Sequence, residues 1–306
     1  PPPAAITASA LARASRRTNA SRGSPGSRTT AVSASSGGPH TRTSQPSPRA
    51  NSSRRGDRLA NTIRRGDAAI MLPPPIIHED EAIIAVAKPA GIATANVPAG
   101  EESVFTLVRR QLAARGRDGA SGPPFLGVVS RLDRPVSGVV VFAKTPAAAA
   151  GLARQFRDRS VDKSYVAIVE GRFPAAPGAW VEWTDALERP RRGPTRPAAV
   201  GHDADEARLR ARVLVRRGEV SLVELRPATG RRHQLRAQLG TRRCPIVGDR
   251  LYGARLPFPA GIALHASFLA IVHPITGERL VLEAEPPDAW HARYGDVLAH
   301  LPRPER

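Results

Sequence analysis

Hydrophobic positions change their spacing several times along the chain, and the changes predict a mixture of strands and helices from about residue 72 onward. Apolar runs of strand length predict three buried or half-buried strands, at 82–88, 138–145 and 164–171. Apolar residues three and four positions apart predict two helices, at 103–114 and 146–156. Thr145 stands at the N-cap position of the second helix, with a proline after it.

The second half of the chain predicts hairpins. Alternating runs over 208–225 and 263–287 turn around Gly218 and Gly277, which is typical of antiparallel strand pairs. A short helix is predicted between them, over 233–239. Hairpins with intervening helices indicate an α+β fold with a mixed, largely antiparallel sheet and flanking helices.

Residues 1–70 differ in composition from the rest of the chain. They contain no Phe, Trp or Tyr, and their only acids are Asp57 and Asp67. Such a segment buries too little apolar surface to offset its ordering entropy, so it is predicted to be disordered, with the folded domain at 71–306. A basic RNA-contacting tail, a transit peptide and a mis-assigned start are all open explanations. The opening Pro-Pro-Pro favours the last.

Charge and cysteine content limit the classes of function. The net charge of +19 indicates a polyanionic partner such as nucleic acid, although an Arg-rich base composition produces the same excess. Cys244 is the only cysteine, which excludes an intrachain disulfide and a multi-cysteine metal site. No apolar run reaches the roughly 18 residues of a membrane span. A reducing, cytoplasmic location is therefore expected.

Two segments carry candidate chemistry. In the first, Asp133 stands between Arg131 and Arg134. Two guanidinium groups beside this carboxylate would favour its ionised form, which a nucleophile or base requires. In the second, the predicted helix presents Arg236, whose fork suits bidentate binding of a carboxylate. A structural ion pair and a basic surface helix are the simpler interpretations of either segment alone.

The two segments belong to an ordered set of motifs. The blocks are Lys88-Pro89-Ala90-Gly91, Arg131-Leu132-Asp133-Arg134 with Ser137-Gly138, Lys163-x-Tyr165-x-Ala167, Gly230-Arg231-x-His233-Gln234-Leu235-Arg236, Pro245-Ile246-Val247-Gly248-Asp249-x-x-Tyr252-Gly253 and Leu264-His265-Ala266. In this order they resemble the RluA-type pseudouridine synthases, over about residues 74–287. The resemblance implies an isomerase that converts uridine to pseudouridine in structured rRNA or tRNA, after the nucleotide is flipped into a central RNA-binding cleft.

The resemblance also implies the roles of individual residues. Asp133 is expected to be the catalytic carboxylate and Arg236 its partner. Tyr165 is expected to stack on the uracil, Leu235 to wall its pocket, and Arg131 to enter the space that the flipped nucleotide leaves. Further substrate contacts are expected from Arg134, His233 and Lys163. No cofactor and no metal are expected, and a monomer fits the family.

Two positions depart from the family pattern. Ser130 replaces the usual His, and Arg232 replaces the usual Thr or Ser. Neither carries an expected catalytic role. Many relatives also have an N-terminal S4 domain. In this sequence only residues 56–72 faintly resemble the end of such a domain. A non-catalytic RNA-binding protein with the same fold is the alternative, but such a protein would be expected to have lost Asp133, Tyr165 or Arg236.

A truncation tests the predicted domain boundary. A protein that begins near Ile70 is expected to keep its secondary structure and a cooperative thermal transition, because residues 1–70 supply little apolar surface for a core. Circular dichroism of the truncated and full-length proteins makes the comparison. Loss of the cooperative transition in the soluble truncated protein would contradict the boundary.

Overall fold

The structure is a computed structural model that describes residues 62–65, 68–115, 122–188, 190, 193–198, 204–259 and 261–301. Its helices, numbered α1 to α4 in chain order, are Val104–Arg115, Pro146–Asp158, Gln234–Thr241 and Asp288–Leu298. Its strands, numbered β1 to β13, are Thr62–Arg65, Ala68–Met71, Ile76–Glu79, Ile83–Lys88, Gly127–Val128, Ser137–Ala143, Asp162–Glu170, Trp180–Glu188, Arg196–Pro197, Asp205–Arg217, Val220–Pro227, Leu264–Val272 and Arg279–Glu283.

Eleven strands form one sheet, in the order β3-β4-β6-β12-β7-β11-β10-β8-β9. Strand β13 pairs with β12, and β5 pairs with β6. Among the described strands, β6 and β12 are the one parallel pair, and every other pairing is antiparallel. The prediction of an α+β fold with a mixed, largely antiparallel sheet is confirmed.

The central strands are buried on both faces, because helices cover each side. On one face Ile84 and Val140 pack in a cluster with Leu107 of α1. On the other face Ile83 and Val141 pack in a cluster with Leu152 of α2. Alternate residues of a strand point to opposite faces, so the continuous apolar run of β4 supplies both layers.

Most of the predicted elements occur near the expected positions. The Thr145 hydroxyl accepts a hydrogen bond from the backbone N–H of Ala148, at 3.1 Å, and so caps α2 as predicted. Strand β8 and helix α4 are among the elements that were not predicted. The buried residues of α4, Trp290, Tyr294, Val297 and Leu298, have helical spacing, so the sequence carries a signal for this helix. The backbone of α4 departs from helical geometry at Tyr294, one residue before Gly295.

Strands β1 and β2 form a separate antiparallel pair within the segment that was predicted to be disordered. Gly66 and Asp67, a combination favoured in tight hairpin turns, stand between the two strands in the sequence. The remainder of the predicted disordered segment lies outside the described residues, as do residues 56–61 and 66–67 of the region that faintly resembles an S4 domain.

Gly138 makes the parallel contact between β6 and β12 possible. It pairs with Ala266 of β12 on one side and with Lys88 of β4 on the other. Its φ angle is 123°, and an added Cβ would lie 2.3 Å from the carbonyl oxygen of Ala266. Only glycine fits here, because the backbone conformation and the available space both exclude a side chain.

Replacing Gly138 with Ala is therefore expected to destabilise the protein severely, by at least about 3 kcal/mol, since strain and a backbone clash act together. The matched control is Gly277→Ala, which also has a positive φ but no atom within 4 Å of the added Cβ. The control should cost only about 1–2 kcal/mol of left-handed strain. Urea unfolding measures both, and equal losses would show that the β6–β12 contact is not the limiting constraint.

Candidate active site

Asp133 lies in the loop that leads from β5 into β6, and this loop is held by its backbone. The Thr94 hydroxyl donates to the carbonyl of Leu132 at 3.0 Å and accepts from the Leu132 N–H at 3.1 Å. The N–H of Gly91 donates to the carbonyl of Arg134 at 2.8 Å. Hydrogen bonds to the backbone on both sides of Asp133 thus fix the position of its main chain.

Lys88 also forms hydrogen bonds to the backbone of this loop. Its buried ammonium group donates to the carbonyls of Pro89, Arg134 and Val136, at 2.9, 3.2 and 2.6 Å. Burial lowers the pKa of Lys88 to about 7, and the negative charge of Asp133 opposes that shift. The lysine therefore connects the end of β4 to both sides of the loop.

Arg236, in the first turn of α3, binds two carboxylates. Its Nε and Nη2 donate to the two oxygens of Asp249, at 2.7 and 2.9 Å. Its Nη1 donates to Oδ2 of Asp133 at 3.0 Å. The bidentate interaction is thus with the buried Asp249, and Asp133 receives a single bond. Because Asp249 fixes the plane of the guanidinium group, the third donor is aimed at Asp133.

The arginines beside Asp133 in the sequence do not contact it. Arg134 pairs instead with Glu101, at 2.7 Å, and Arg131 is exposed. The expectation that Arg131 and Arg134 lie against the carboxylate therefore requires correction, since the guanidinium group that binds Asp133 is that of Arg236. Neighbouring residues in a turning loop point in different directions, whereas α3 is a rigid element that faces the carboxylate.

His233 approaches the same carboxylate oxygen as Arg236. Its Nε2 is 3.6 Å from Oδ2 of Asp133, and its Nδ1 is 3.0 Å from the hydroxyl of Tyr252. Burial lowers the pKa of His233, opposed by the charge of Asp133, and this favours the neutral ring. When the Tyr252 hydroxyl donates to Nδ1, the ring proton lies on Nε2 and faces Asp133.

Tyr165 and Leu235 lie with Asp133 and Arg236 around a small pocket of about 110 Å³. Tyr165 projects from β7, and Leu235 is buried in the first turn of α3. Burial, with a further contribution from the charge of Asp133, raises the pKa of Tyr165 to about 12. Tyr165 is therefore an uncharged phenol at neutral pH, beside an apolar wall that suits a flat ring.

The small pocket shares several lining residues with a cleft of about 1140 Å³. Asp133 is the only acid among the described residues that line this cleft. Seven cationic residues line it as well: Arg131, Arg134, Arg157, Arg159, Lys163, Arg231 and Arg232. The structure thus brings together all eight predicted site residues around one cationic concavity. Ser130, which departs from the family pattern, also lines the cleft.

Sequence and structure comparisons identify the family that has this arrangement. The sequence pattern of the RNA pseudouridylate synthase family matches residues 82–241. Ribosomal large subunit pseudouridine synthase D of Zymomonas mobilis is 34% identical over 229 residues, which cover 71% of this chain and 70% of that protein. For tRNA pseudouridine synthase C of Yersinia pestis the identity is 34% over 257 residues, with 75% and 95% covered. The chain belongs to the RNA pseudouridine synthase family.

The resemblance to RluA-type pseudouridine synthases is thereby confirmed, and the chain is an isomerase of this RNA-modifying class. A solved structure, human RNA pseudouridylate synthase domain containing 4, supports the fold. It superposes with a TM-score of 0.59 at 24% identity, covering 73% of this chain and 92% of that one.

Several residues at this pseudouridine synthase site were not predicted individually. Asp249 and Tyr252 stand in one of the quoted motif blocks, and Lys88 stands in another, so the blocks were the available signal. A further signal was a lysine that ends the apolar run of β4. Thr94 gave no signal, because its contact with the Asp133 loop arises only from the tertiary fold.

The described part of the pseudouridine synthase has neither a membrane-spanning helix nor a cluster of metal-binding side chains. No described helix is long and apolar enough to cross a membrane. No group of three or more His, Cys, Asp or Glu residues among the described ones is placed to hold a metal ion.

The pKa of Lys88 predicts a pH effect on stability. Between pH about 7 and 10.5 the unfolded chain keeps a proton on Lys88 that the folded chain has released, so raising the pH favours the folded state. Relative to Lys88→Met, the wild-type free energy of unfolding should rise by about 1.4 kcal/mol per pH unit between pH 7 and 9. Urea unfolding at several pH values measures the difference.

The matched control is Lys144→Met, because Lys144 pairs with Glu79 nearer the surface, at 3.0 Å. The difference in the free energy of unfolding between the wild type and Lys144→Met should show no such rise with pH. If the Lys88→Met difference were also independent of pH, the amine would be protonated in the folded protein throughout this range.

Proposed function

We propose that this pseudouridine synthase converts uridine to pseudouridine in rRNA or tRNA, with Asp133 as the essential carboxylate. One observation carries the proposal: among the described residues the cleft has a single acid, Asp133, and this acid also borders the small pocket beside Tyr165. An enzyme that binds a polyanion is expected to line its cleft with cationic side chains. A carboxylate in such a cleft is expected only at the site of the reaction.

The choice of RNA class follows the names of the relatives. One acts on the ribosomal large subunit and another on tRNA, and the identity to each is 34%. Seven cationic side chains in the cleft favour a phosphate backbone as the ligand. Structured RNA of one of these two classes is therefore the proposed substrate.

Access to the target atoms requires base flipping. The C1′–N1 bond of a stacked uridine lies out of reach of a side chain inside a cleft, so the nucleotide must leave the helix. The small pocket beyond the cleft is the proposed destination of the uracil. Tyr165 would stack on the ring, Leu235 would close its other side, and Arg131 would occupy the space left in the RNA.

The reaction exchanges one glycosidic bond for another. The C1′–N1 bond breaks, the uracil turns, and a C1′–C5 bond forms. The proton on C5 is then lost and N1 gains one, so the composition of the nucleotide is unchanged. Asp133 can begin this sequence at C1′, at C6 of the uracil or at the C2′ proton. No oxidant or phosphoryl donor takes part, so no cofactor is proposed.

The remaining residues fit supporting roles. Arg236 holds Asp133 by a single bond, and only Oδ2 of the carboxylate has contacts among the described residues. The other oxygen is thus free to meet the substrate. His233 would steady the same oxygen of the carboxylate that Arg236 binds. Arg134 and Lys163 would bind the RNA backbone on either side of the pocket.

The second candidate is an RNA-binding protein without turnover, such as a ribosome assembly factor. The presence of Asp133, Tyr165 and Arg236 around one pocket favours the enzyme. We further propose that the catalytic domain spans residues 71–306, that the basic segment before it is disordered apart from the β1–β2 pair, and that the protein is a cytoplasmic monomer.

Release of tritium from uracil C5 tests the reaction, because this hydrogen leaves only when the base is rejoined through carbon. Unmodified rRNA and tRNA transcripts labelled at C5 are incubated with the wild type and with Asp133→Asn. The variant is expected to lose more than about a hundredfold in rate while its RNA binding is largely unchanged.

The matched control is Asp296→Asn, since Asp296 is exposed on α4 and does not line the cleft. It should release tritium at the wild-type rate. Near-normal release by Asp133→Asn would overturn the mechanism. Binding without release by the wild-type protein would favour the non-catalytic alternative.

A further inference from the structure

Helix α2 ends in an unusual conformation. Its C-cap residue, Arg159, has φ 59° and ψ 30°, in the left-handed region that glycine or asparagine normally occupies at this position. A left-handed arginine strains the backbone because its Cβ approaches the following carbonyl. Strain of this kind tends to be kept where a side chain is needed for function.

The strained residue faces the cleft. Arg159, Arg157 and Phe156 from the end of α2 all line it, opposite the motif residues of the loop and of α3. Lys163 of β7 lines both the cleft and the small pocket. Burial lowers the pKa of Lys163, and the positive charge of Arg159 lowers it further, so the two cations lie close together.

These cations lack counter-charges in the described part of the chain. Arg134 and Arg231 of the same cleft pair with Glu101 and Asp205. No such carboxylate pairs with Arg157 or Arg159 among the described residues. Asp158, which stands between them in the sequence, does not line the cleft. Arg157 and Arg159 are exposed, and cations that line one cleft without an acid create a positive potential that attracts an anionic ligand.

We propose that Arg157, Arg159 and Lys163 form a subsite for the backbone phosphates of the RNA strand that carries the target uridine. The inference rests on the proposed function and deepens it, by assigning the end of α2 to the substrate. Because Lys163 also borders the small pocket, the phosphates bound here are those next to the flipped nucleotide. The guanidinium forks offer paired donors to phosphate oxygens.

The test uses RNA binding by the full-length protein, with a fluorescent stem-loop RNA that has a uridine in its loop. Arg159→Gln is expected to lower the affinity about tenfold, the loss that one hydrogen bond between charged groups accounts for. The slope of log affinity against log salt, between about 50 and 200 mM, should become shallower by about 0.7–0.9.

Arg154→Gln is the matched control. Arg154 is exposed on the same helix and does not line the cleft, so the variant removes an equal charge from outside the proposed subsite. Its affinity should change less than twofold. Arg159→Lys should recover part of the affinity that Arg159→Gln loses, since the charge returns without the fork.

Arg159→Gly separates function from structure. Glycine relieves the left-handed strain, so the variant should have a higher melting temperature and yet bind RNA as weakly as Arg159→Gln. A residue that only ends the helix would give the higher melting temperature with unchanged affinity, and that result would overturn the proposal. Equal losses from Arg154→Gln and Arg159→Gln would overturn it too, by showing a general charge effect.

Failure of this inference is distinguishable from failure of the proposed function. If the wild type binds the RNA and releases tritium while the Arg159 variants bind normally, only the subsite is wrong. If the wild type does not bind RNA at all, the proposed function and the subsite both fail.

Discussion

The buried interaction of Arg236 with Asp249 and Asp133 is the constraint on which the rest of the site depends. A carboxylate as buried as Asp249 would be strongly destabilising without a partner, so the arginine is required there before any chemistry is considered. Two of its donors are committed to Asp249. The direction of the third donor, towards Asp133, follows from the planar geometry of the guanidinium group. A lysine would satisfy the charge but would not transmit the direction.

That constraint links catalysis to the core. Arg236 belongs to α3, whose Leu235 and Leu239 pack in the largest hydrophobic cluster together with residues of β7 and β11. The position of Asp133 relative to Tyr165 is therefore determined by packing between a helix and a sheet. Loops move more easily than packed elements, and here the loop that has the carboxylate is bound to elements on several sides.

The parts of the fold that could be predicted are those with local signals. The apolar run of β4, the Thr145 cap of α2 and the glycine of the β10–β11 turn each indicate structure within a few residues. Helix α4 was not predicted, although its buried residues Trp290, Tyr294, Val297 and Leu298 have helical spacing. At the site, the motif order led to Asp133, Tyr165 and Arg236, yet the partner of each charge could not be predicted. Arg134 is adjacent to Asp133 in sequence and binds Glu101, whereas Asp249 is thirteen residues from Arg236 and binds it twice. Whether two charged side chains pair depends on the directions in which they point in the folded protein. The spacing of the residues along the chain does not give those directions.

The bonds of Lys88 and Thr94 to the Asp133 loop end on main-chain atoms. Main-chain carbonyls and amides are the same whatever side chain a residue has. The loop can therefore exchange its side chains during evolution while the path of its backbone is kept. The same arrangement lets the outer residues of the loop adapt to a new RNA without a change in the placement of the carboxylate, so specificity and catalysis can evolve separately within one short segment.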